Sequence, residues 1–214
     1  MRGTPEKVAK ILLSINAISL NVQKPYRYVS GILSPVYTDC RLIMSYPRER
    51  QTISNLLSKT IVAKGNFDLV AGTATAGIPH AAWVAEILCL PMIYARNKPK
   101  DHGKGNQIEG LLKKKQNVAV IEDLISTGES AISTVGAIRK IGAYSYYVFS
   151  IITYKMKKAE ENFKKNKIRN ISLTNFPTVI KVAEELQYIK AKDKKIILEW
   201  SLNPALWGKK MGFE

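Results

Sequence analysis

Glu122 and Asp123 are neighbouring carboxylates, and the residues on either side limit what such a pair can do. They follow the apolar run Val118-Ala119-Val120-Ile121 and precede Leu124-Ile125-Ser126-Thr127-Gly128-Glu129-Ser130. The pattern predicts a strand ending in two acids, then a loop of small and hydroxyl residues that opens a helix. A helix start presents unsatisfied N–H groups and a positive dipole end. With the hydroxyls of Ser126, Thr127 and Ser130 nearby, that is a seat for a phosphate monoester. Like charges repel, so the acids are not there to hold the phosphate. They suit the acceptance of hydrogen bonds from sugar hydroxyls, or a cation. On these residues alone a solvated acidic turn with a Ser/Thr cap stays open. Neither a Walker loop nor a dinucleotide-binding Gly-x-Gly-x-x-Gly occurs.

A second segment with chemical potential is Lys98 to Gly110, KPKDHGKGNQIEG, glycine-rich, charged and without periodicity. Long loops of this kind inside compact domains are usually functional. Arg96 just before it, with Lys100 and His102 within it, could by themselves equally be a solvated basic loop. The stretch Tyr28 to Asp39 mixes turn formers with β-formers and reads as short strands or an extended flap.

These segments need a scaffold. Thr4-Pro5 reads as a hydroxyl cap and a proline at the first helical position, followed by Val8, Ile11, Leu12, Ile15 and Ile18 at helical spacing. Pro47 to Gly65 brackets a second helix. From residue 66 strands and helices alternate: strands at Asp68–Gly72, Pro91–Tyr94, Asn117–Ile121, Ala143–Ile152 and Ile168–Leu173. Helices fall at Gly77–Leu88, about Gly128–Ile141, near Lys157–Lys165 and at Pro177–Leu186. Such alternation points to an α/β fold with a mostly parallel central sheet flanked by helices. In that architecture ligands bind beyond the carboxyl ends of the strands. Trp83, on an apolar helix, reads as core, and Trp200 and Trp207 as packing residues. His80 reads as a helix-start residue rather than a base.

Composition narrows the class. The chain has 214 residues, 46% hydrophobic and 23% charged, which excludes disordered and fibrous readings. The longest apolar stretch, Ala81 to Ala95, is broken by Glu86 and Pro91 and is too short to span a bilayer. No secretory signal is read at the N-terminus, so a cytoplasmic protein with no membrane partner is expected. Cys40 and Cys89 form no Cys-x-x-Cys pair, and His80 and His102 are the only histidines. Neither a zinc site nor a disulfide framework follows. Cys40, beside Asp39, reads as partly exposed and without a nucleophilic role.

The net charge of +16 is the one extreme value. It raises the question of nucleic acid. The lysines are scattered from Lys7 to Lys210, with short clusters at Lys113–Lys115, Lys155–Lys158 and Lys164–Lys167, and no homeodomain, zinc-finger or aromatic RNP pattern accompanies them. No specific nucleic-acid partner is expected, and the charge is read as serving substrate attraction and solubility.

The Val118–Ser130 element resembles the 5-phosphoribosyl 1-diphosphate (PRPP) signature of type I phosphoribosyltransferases. Tyr94-Ala95-Arg96-Asn97-Lys98-Pro99-Lys100-Asp101-His102-Gly103 looks like the catalytic loop of the orotate phosphoribosyltransferase family. Ser30-Gly31-x-x-Ser34-Pro35-x-Tyr37 looks like its orotate-side flap, and Gly72-Thr73-Ala74-Thr75-Ala76-Gly77-Ile78-Pro79 is similar to its diphosphate-contacting loop. Order and spacing agree over nearly the whole chain. The resemblance implies a single type I phosphoribosyltransferase domain over 1–214, with an N-terminal helix and flap (hood) in 1–45 and an α/β core with C-terminal extension in 46–214. It implies transfer of the phosphoribosyl group from PRPP to orotate, with Mg²⁺ as cofactor bound mainly through PRPP and no dedicated protein metal site. The family works as a homodimer whose active sites are shared between subunits.

Carried over by position, the resemblance implies catalytic roles for Lys100, Arg96, His102 and Asp123. PRPP contacts are implied for those residues with Glu122, Leu124, Ile125, Ser126, Thr127, Gly128, Glu129, Ser130, Thr75 and Ala76. Orotate contacts are implied for Ser126, Tyr37 and Lys155. The chain departs from the pattern at several places. Glu122 stands where many members have Asp, Asn97 and Ala76 where some have Lys, and Val29 and Leu33 where relatives carry basic residues. Lys155 stands near a position often held by Arg. The rival readings are a PRPP-binding regulator of nucleic acid and a purine phosphoribosyltransferase. Against the first stands the full set Arg96 to His102, and against the second the flap at Gly31–Tyr37.

Overall fold

The computed structural model describes residues 3–28, 31–96 and 107–213. Helix α1 (Thr4–Ser14) leads into short strands β1 (Ile18–Leu20), β2 (Tyr26–Arg27), β3 (Leu33–Ser34) and β4 (Val36–Thr38) and a 3₁₀ turn at Cys40–Ser45. The core follows as α2 (Pro47–Val62), β5 (Leu69–Thr73), α3 (Gly77–Leu88), β6 (Met92–Ala95), β7 (Ile108–Glu109), β8 (Asn117–Ile125), α4 (Glu129–Lys140), β9 (Tyr144–Thr153), α5 (Lys157–Lys165), β10 (Arg169–Asn175) and α6 (Phe176–Glu185). Two more helices, α7 (Ala191–Leu202) and α8 (Pro204–Lys210), end the chain.

Six strands form the central sheet in the order β10-β9-β8-β5-β6-β7, parallel except for β7, which runs antiparallel to β6. The chain first builds outward from β5 to β6 and β7. It then returns to the other side of β5 and continues through β8, β9 and β10. The direction of winding therefore reverses between β5 and β8, which is where open α/β sheets bind ligands.

Alternation along the strands divides the interior in two. Val70, Ala119, Ile121 and Phe149 face a core shared with α1, α2, α6 and α7. Leu69, Ala71, Val118, Val120 and Val148 face the core under α4 and α5. Burial on both sides explains why these strands read as unbroken apolar runs. The first core extends into the hood through aromatic edges: Trp200 of α7 meets Tyr28, Tyr154 and Phe176 at centroid distances of 6.3, 5.5 and 5.8 Å.

Several sequence expectations are corrected. Strand β8 does not stop at Ile121, because Leu124 and Ile125 pair with Ile152 and Thr153 of β9. The cap of α1 is Gly3, at φ +81, and Thr4 is already helical without a side-chain cap bond. Cys40 is buried, at the start of the 3₁₀ turn. Trp83 is only half-buried; it faces α2, with the Arg50 guanidinium 4.8 Å over its ring. Helices α7 and α8 were not expected, although their Trp200 and Trp207 do pack inside.

Candidate active site

The carboxyl ends of β5 and β8 meet at the switch point. There α3 approaches so closely that a Cβ on Gly77 would lie 2.6 Å from the Ile121 carbonyl oxygen, and one on Gly72 would lie 2.9 Å from Ile78 Cα. Only glycine lets the Thr73–Ala76 loop sit against β8. That loop leaves β5 with Ala74 N–H bonded to the Ala95 carbonyl at 3.0 Å and a cis peptide between Ala74 and Thr75. Thr75 is exposed and Ala76 half-buried at the start of α3.

Strand alternation sends Glu122 and Asp123 toward opposite faces of the sheet. Glu122 is 6% exposed, and its Oε1 accepts the Asp123 N–H at 3.1 Å. Burial, then the Asp123 charge beside it, raises the Glu122 carboxyl well above its ordinary 4.5. Asp123 is half-exposed. Its charge reaches the buried Cys40 thiol, which burial first and this charge second push upward. It also reaches His80, whose imidazole is held down to about 4, chiefly by burial. His80 is 1% exposed, and among the described residues neither ring nitrogen has a hydrogen-bond partner. It is a buried side chain in α3, closed off from solvent.

Beyond Ile125 the chain turns through Ser126, Thr127 and Gly128 into α4. Gly128 sits at φ +79, and a Cβ there would lie 2.8 Å from Phe163 Cζ, so both the backbone conformation and the space demand glycine. Asn162 of α5 pins the turn by donating to the Thr127 carbonyl at 3.0 Å. Ser126, Glu129 and Ser130 are exposed and Thr127 half-exposed. The loop therefore offers its hydroxyls and the helix start outward.

Arg96 closes a second side. Its N–H bonds to the Gln107 carbonyl at 2.9 Å, and Gln107 Nε2 donates to the Arg96 carbonyl at 2.8 Å and to Ser133 Oγ of α4 at 3.2 Å. Arg96 and Gln107 are thus clamped together beside the first turns of α4. The Arg96 guanidinium lies 3.6 Å from Glu109, and a small cavity there is lined by Arg96, Glu129, Ser130, Ser133 and Thr134. Lys100 and His102 lie outside the described residues, as do Asn97, Val29 and Ser30.

On the hood, the Tyr37 ring is 43% exposed and leans on Tyr26 at 5.6 Å. Two residues that no motif singled out hold this region. Tyr154, at the end of β9, donates its hydroxyl to Thr38 Oγ1 at 2.9 Å. Arg41 donates from Nε to Asp39 at 2.6 Å, holding that carboxyl below its ordinary value. Their partners are remote in sequence or follow no spacing rule, so only the position of Tyr154 just after an apolar strand hinted at a role. Lys155 follows Tyr154, whose N–H bonds to the Ile125 carbonyl at 2.9 Å just before Ser126, and it lines a cavity of about 290 Å³ with Thr153, Phe163, Asn170, Ser172 and Asn175.

A mostly parallel sheet whose winding reverses between β5 and β8, with an acid pair and then a hydroxyl-rich turn at the end of β8, gives the chain the fold of a type I phosphoribosyltransferase. No protein-family model matches it. Orotate phosphoribosyltransferase of Enterococcus faecalis is 48% identical over 212 residues, covering 98% of this chain and all of that protein. That of Coxiella burnetii is 47% identical over 202 residues, covering 94% and 97%. Among solved structures, the orotate phosphoribosyltransferase of Aeropyrum pernix superposes with a TM-score of 0.72 at 26% identity, over 85% of this chain and 99% of that one. The chain belongs to the orotate phosphoribosyltransferase family.

Proposed function

We propose that this protein transfers the 5-phosphoribosyl group of PRPP to orotate, giving orotidine 5′-phosphate and diphosphate. The observation that carries the reading is the acid pair set one turn before an outward-facing phosphate seat, at the switch point of the sheet. In this role the Ser126–Ser130 turn binds the 5′-phosphate through backbone N–H groups and hydroxyls. Asp123 accepts hydrogen bonds from the ribose hydroxyls, and Glu122, whose raised carboxyl can hold a proton, completes the ribose contacts. Thr75 and Ala76 present N–H groups to the diphosphate.

During the reaction the ribose C1–oxygen bond breaks while the bond to the orotate ring nitrogen forms. Positive charge builds on the sugar and negative charge on the leaving diphosphate, so catalysis consists of holding both ends and stabilising the departing charge. Arg96, Lys100 and His102 supply that cationic field, and Tyr37, Ser126 and Lys155 are the orotate-side candidates. No covalent enzyme intermediate is needed. Among the described residues no three His, Cys, Asp or Glu side chains cluster to hold a metal. The half-exposed Asp123 carboxylate is a hard donor that suits a Mg²⁺ taking most of its ligands from PRPP. When bound, Mg²⁺ neutralises diphosphate charge. The working form is a homodimer in which each loop serves the partner's site.

An orotate-consumption assay read by absorbance, with PRPP and Mg²⁺, tests the reading beside adenine, hypoxanthine and uracil. Consumption of orotate alone is expected. Consumption of a purine in its place overturns it.

A further inference from the structure

The charge that the sequence shows as scattered is gathered by the fold at the end of the sheet opposite the active site. The turn before β8 brings Lys113, Lys114 and Lys115. The turn between α4 and β9 brings Lys140, and the turn between α5 and β10 brings Lys164, Lys165 and Lys167, with Arg169 opening β10. All of these side chains are exposed. Segments 111–117, 139–146 and 162–170 contain no Asp or Glu, and among the described residues no carboxylate pairs with any of these cations. Asp68 stands at the same end, with Oδ2 taken by the Asn117 N–H at 2.6 Å.

The three turns form one surface. Lys115 N–H bonds to the Gly142 carbonyl and Tyr144 N–H to the Gln116 carbonyl, each at 2.8 Å. Arg139 donates to the Ser145 carbonyl at 2.7 Å and the Asn166 carbonyl at 2.7 Å, tying α4 to the start of β9 and to the turn before β10. Its guanidinium also lies 5.3 Å from the centre of the Tyr146 ring. On this scaffold Tyr144 and Tyr146 are 46% and 49% exposed, their rings 12° from parallel with centroids 6.5 Å apart. Two parallel aromatic rings amid lysines are a stacking platform inside a positive field.

Proximity to PRPP does not account for this patch. A strand rises about 3.3 Å per residue, so the start of β8 lies roughly 20 Å from Asp123. A symmetric contact between two copies would set the same cations against each other. We infer that the amino-terminal end of the sheet, built from the Lys113–Lys115, Lys140 and Lys164–Arg169 turns around Tyr144 and Tyr146, binds single-stranded nucleic acid without sequence preference. Lysines neutralise backbone phosphates, and the tyrosines stack unpaired bases, which duplexes do not offer. The partner is a single strand rather than a defined site, since no base-reading motif is present.

Fluorescence anisotropy of a labelled 20-nucleotide oligo-U against the full-length protein, beside a duplex of equal length and anionic vesicles, tests this. The single strand should bind more tightly than the duplex. If five phosphates are neutralised, affinity falls about a hundredfold between 50 and 200 mM salt. Tyr144→Ala with Tyr146→Ala should weaken oligo-U binding about tenfold or more and leave duplex binding and orotate consumption unchanged. Lys113→Gln, Lys140→Gln and Lys165→Gln together should flatten the salt slope by about two. Circular-dichroism melting checks that each variant is folded. Equal binding of duplex and single strand, an unchanged slope, indifference to the tyrosines or binding to vesicles alone overturns the inference.

Discussion

Glu122 Oε1 accepts a hydrogen bond from the N–H of Asp123 at 3.1 Å, so the buried acid of the pair is held by the backbone of the exposed one. The two carboxylates consequently have different tasks. Asp123 is half-exposed and free to meet a ligand, and its replacement leaves that backbone bond intact. Asp123→Asn should therefore keep the fold and lower kcat/KM for PRPP about ten- to a hundredfold, the scale of losing a hydrogen bond to a charged group. A loss of thermal stability above about 2 kcal/mol would mark Asp123 as structural instead.

Glu122 carries a pH signature. Its carboxyl is raised in the folded protein by burial and by Asp123, so the folded state holds this proton more tightly than the unfolded chain does. The associated stability is fully present below the ordinary glutamate value and is lost as pH rises through the folded one. Glu122→Gln keeps an acceptor for the Asp123 N–H and removes the buried charge. The variant should melt higher than the parent at pH 8, with the gap closing toward pH 4, and should use PRPP less well. A gap independent of pH would show that burial of the charge is not the cause.

Gly128 and Phe163 form a tight fit at the turn between β8 and α4. Gly128→Ala forces a side chain into the left-handed region, at about 1–2 kcal/mol, and drives its Cβ to 2.8 Å from the Phe163 ring. Stability should fall and KM for PRPP should rise. In a Phe163→Leu background the steric part of the loss should disappear while the backbone part remains, measurable as a coupling between the two substitutions. Strict additivity would mean that the ring does not touch the turn.

Much of this was readable because the relevant residues are local. Strands β5, β8 and β9 are buried on both faces, so they appear as apolar runs, and the acid pair and the Ser126–Ser130 turn are contiguous. What escaped is long-range. The extension of β8 through Ile125 depends on pairing with Ile152 and Thr153, which no spacing within 118–130 encodes. Tyr154 meets Thr38 across 116 positions and Thr174 meets Pro5 across 169. Helix α7 begins Ala-Lys-Asp-Lys-Lys, a polar stretch whose helicity comes from seating Ile197 and Trp200 in the core. Trp83 shows the converse. The apolar pattern of α3 buries its neighbours Val84 and Ala85, while the ring itself lies under Arg50 at the helix–helix groove.

The shared-site dimer is tested without locating Lys100. Arg96 and Gln107 are joined to each other, and Gln107 to Ser133, so the segment between them starts and ends at one point beside α4. If that segment completes the partner's site, Lys100 and Asp123 of one active site come from different chains. Lys100→Ala and Asp123→Ala should each be nearly inactive as homodimers. Mixing them under conditions of subunit exchange makes about half of the dimers hybrid under random pairing. Each hybrid has one site with both defects and one with neither, so roughly a quarter of wild-type activity should return if the sites act independently. Native mass spectrometry, with one variant mass-labelled, verifies that hybrids have formed. Hybrids present without recovered activity would place Lys100 in its own subunit's site and remove the shared-site arrangement.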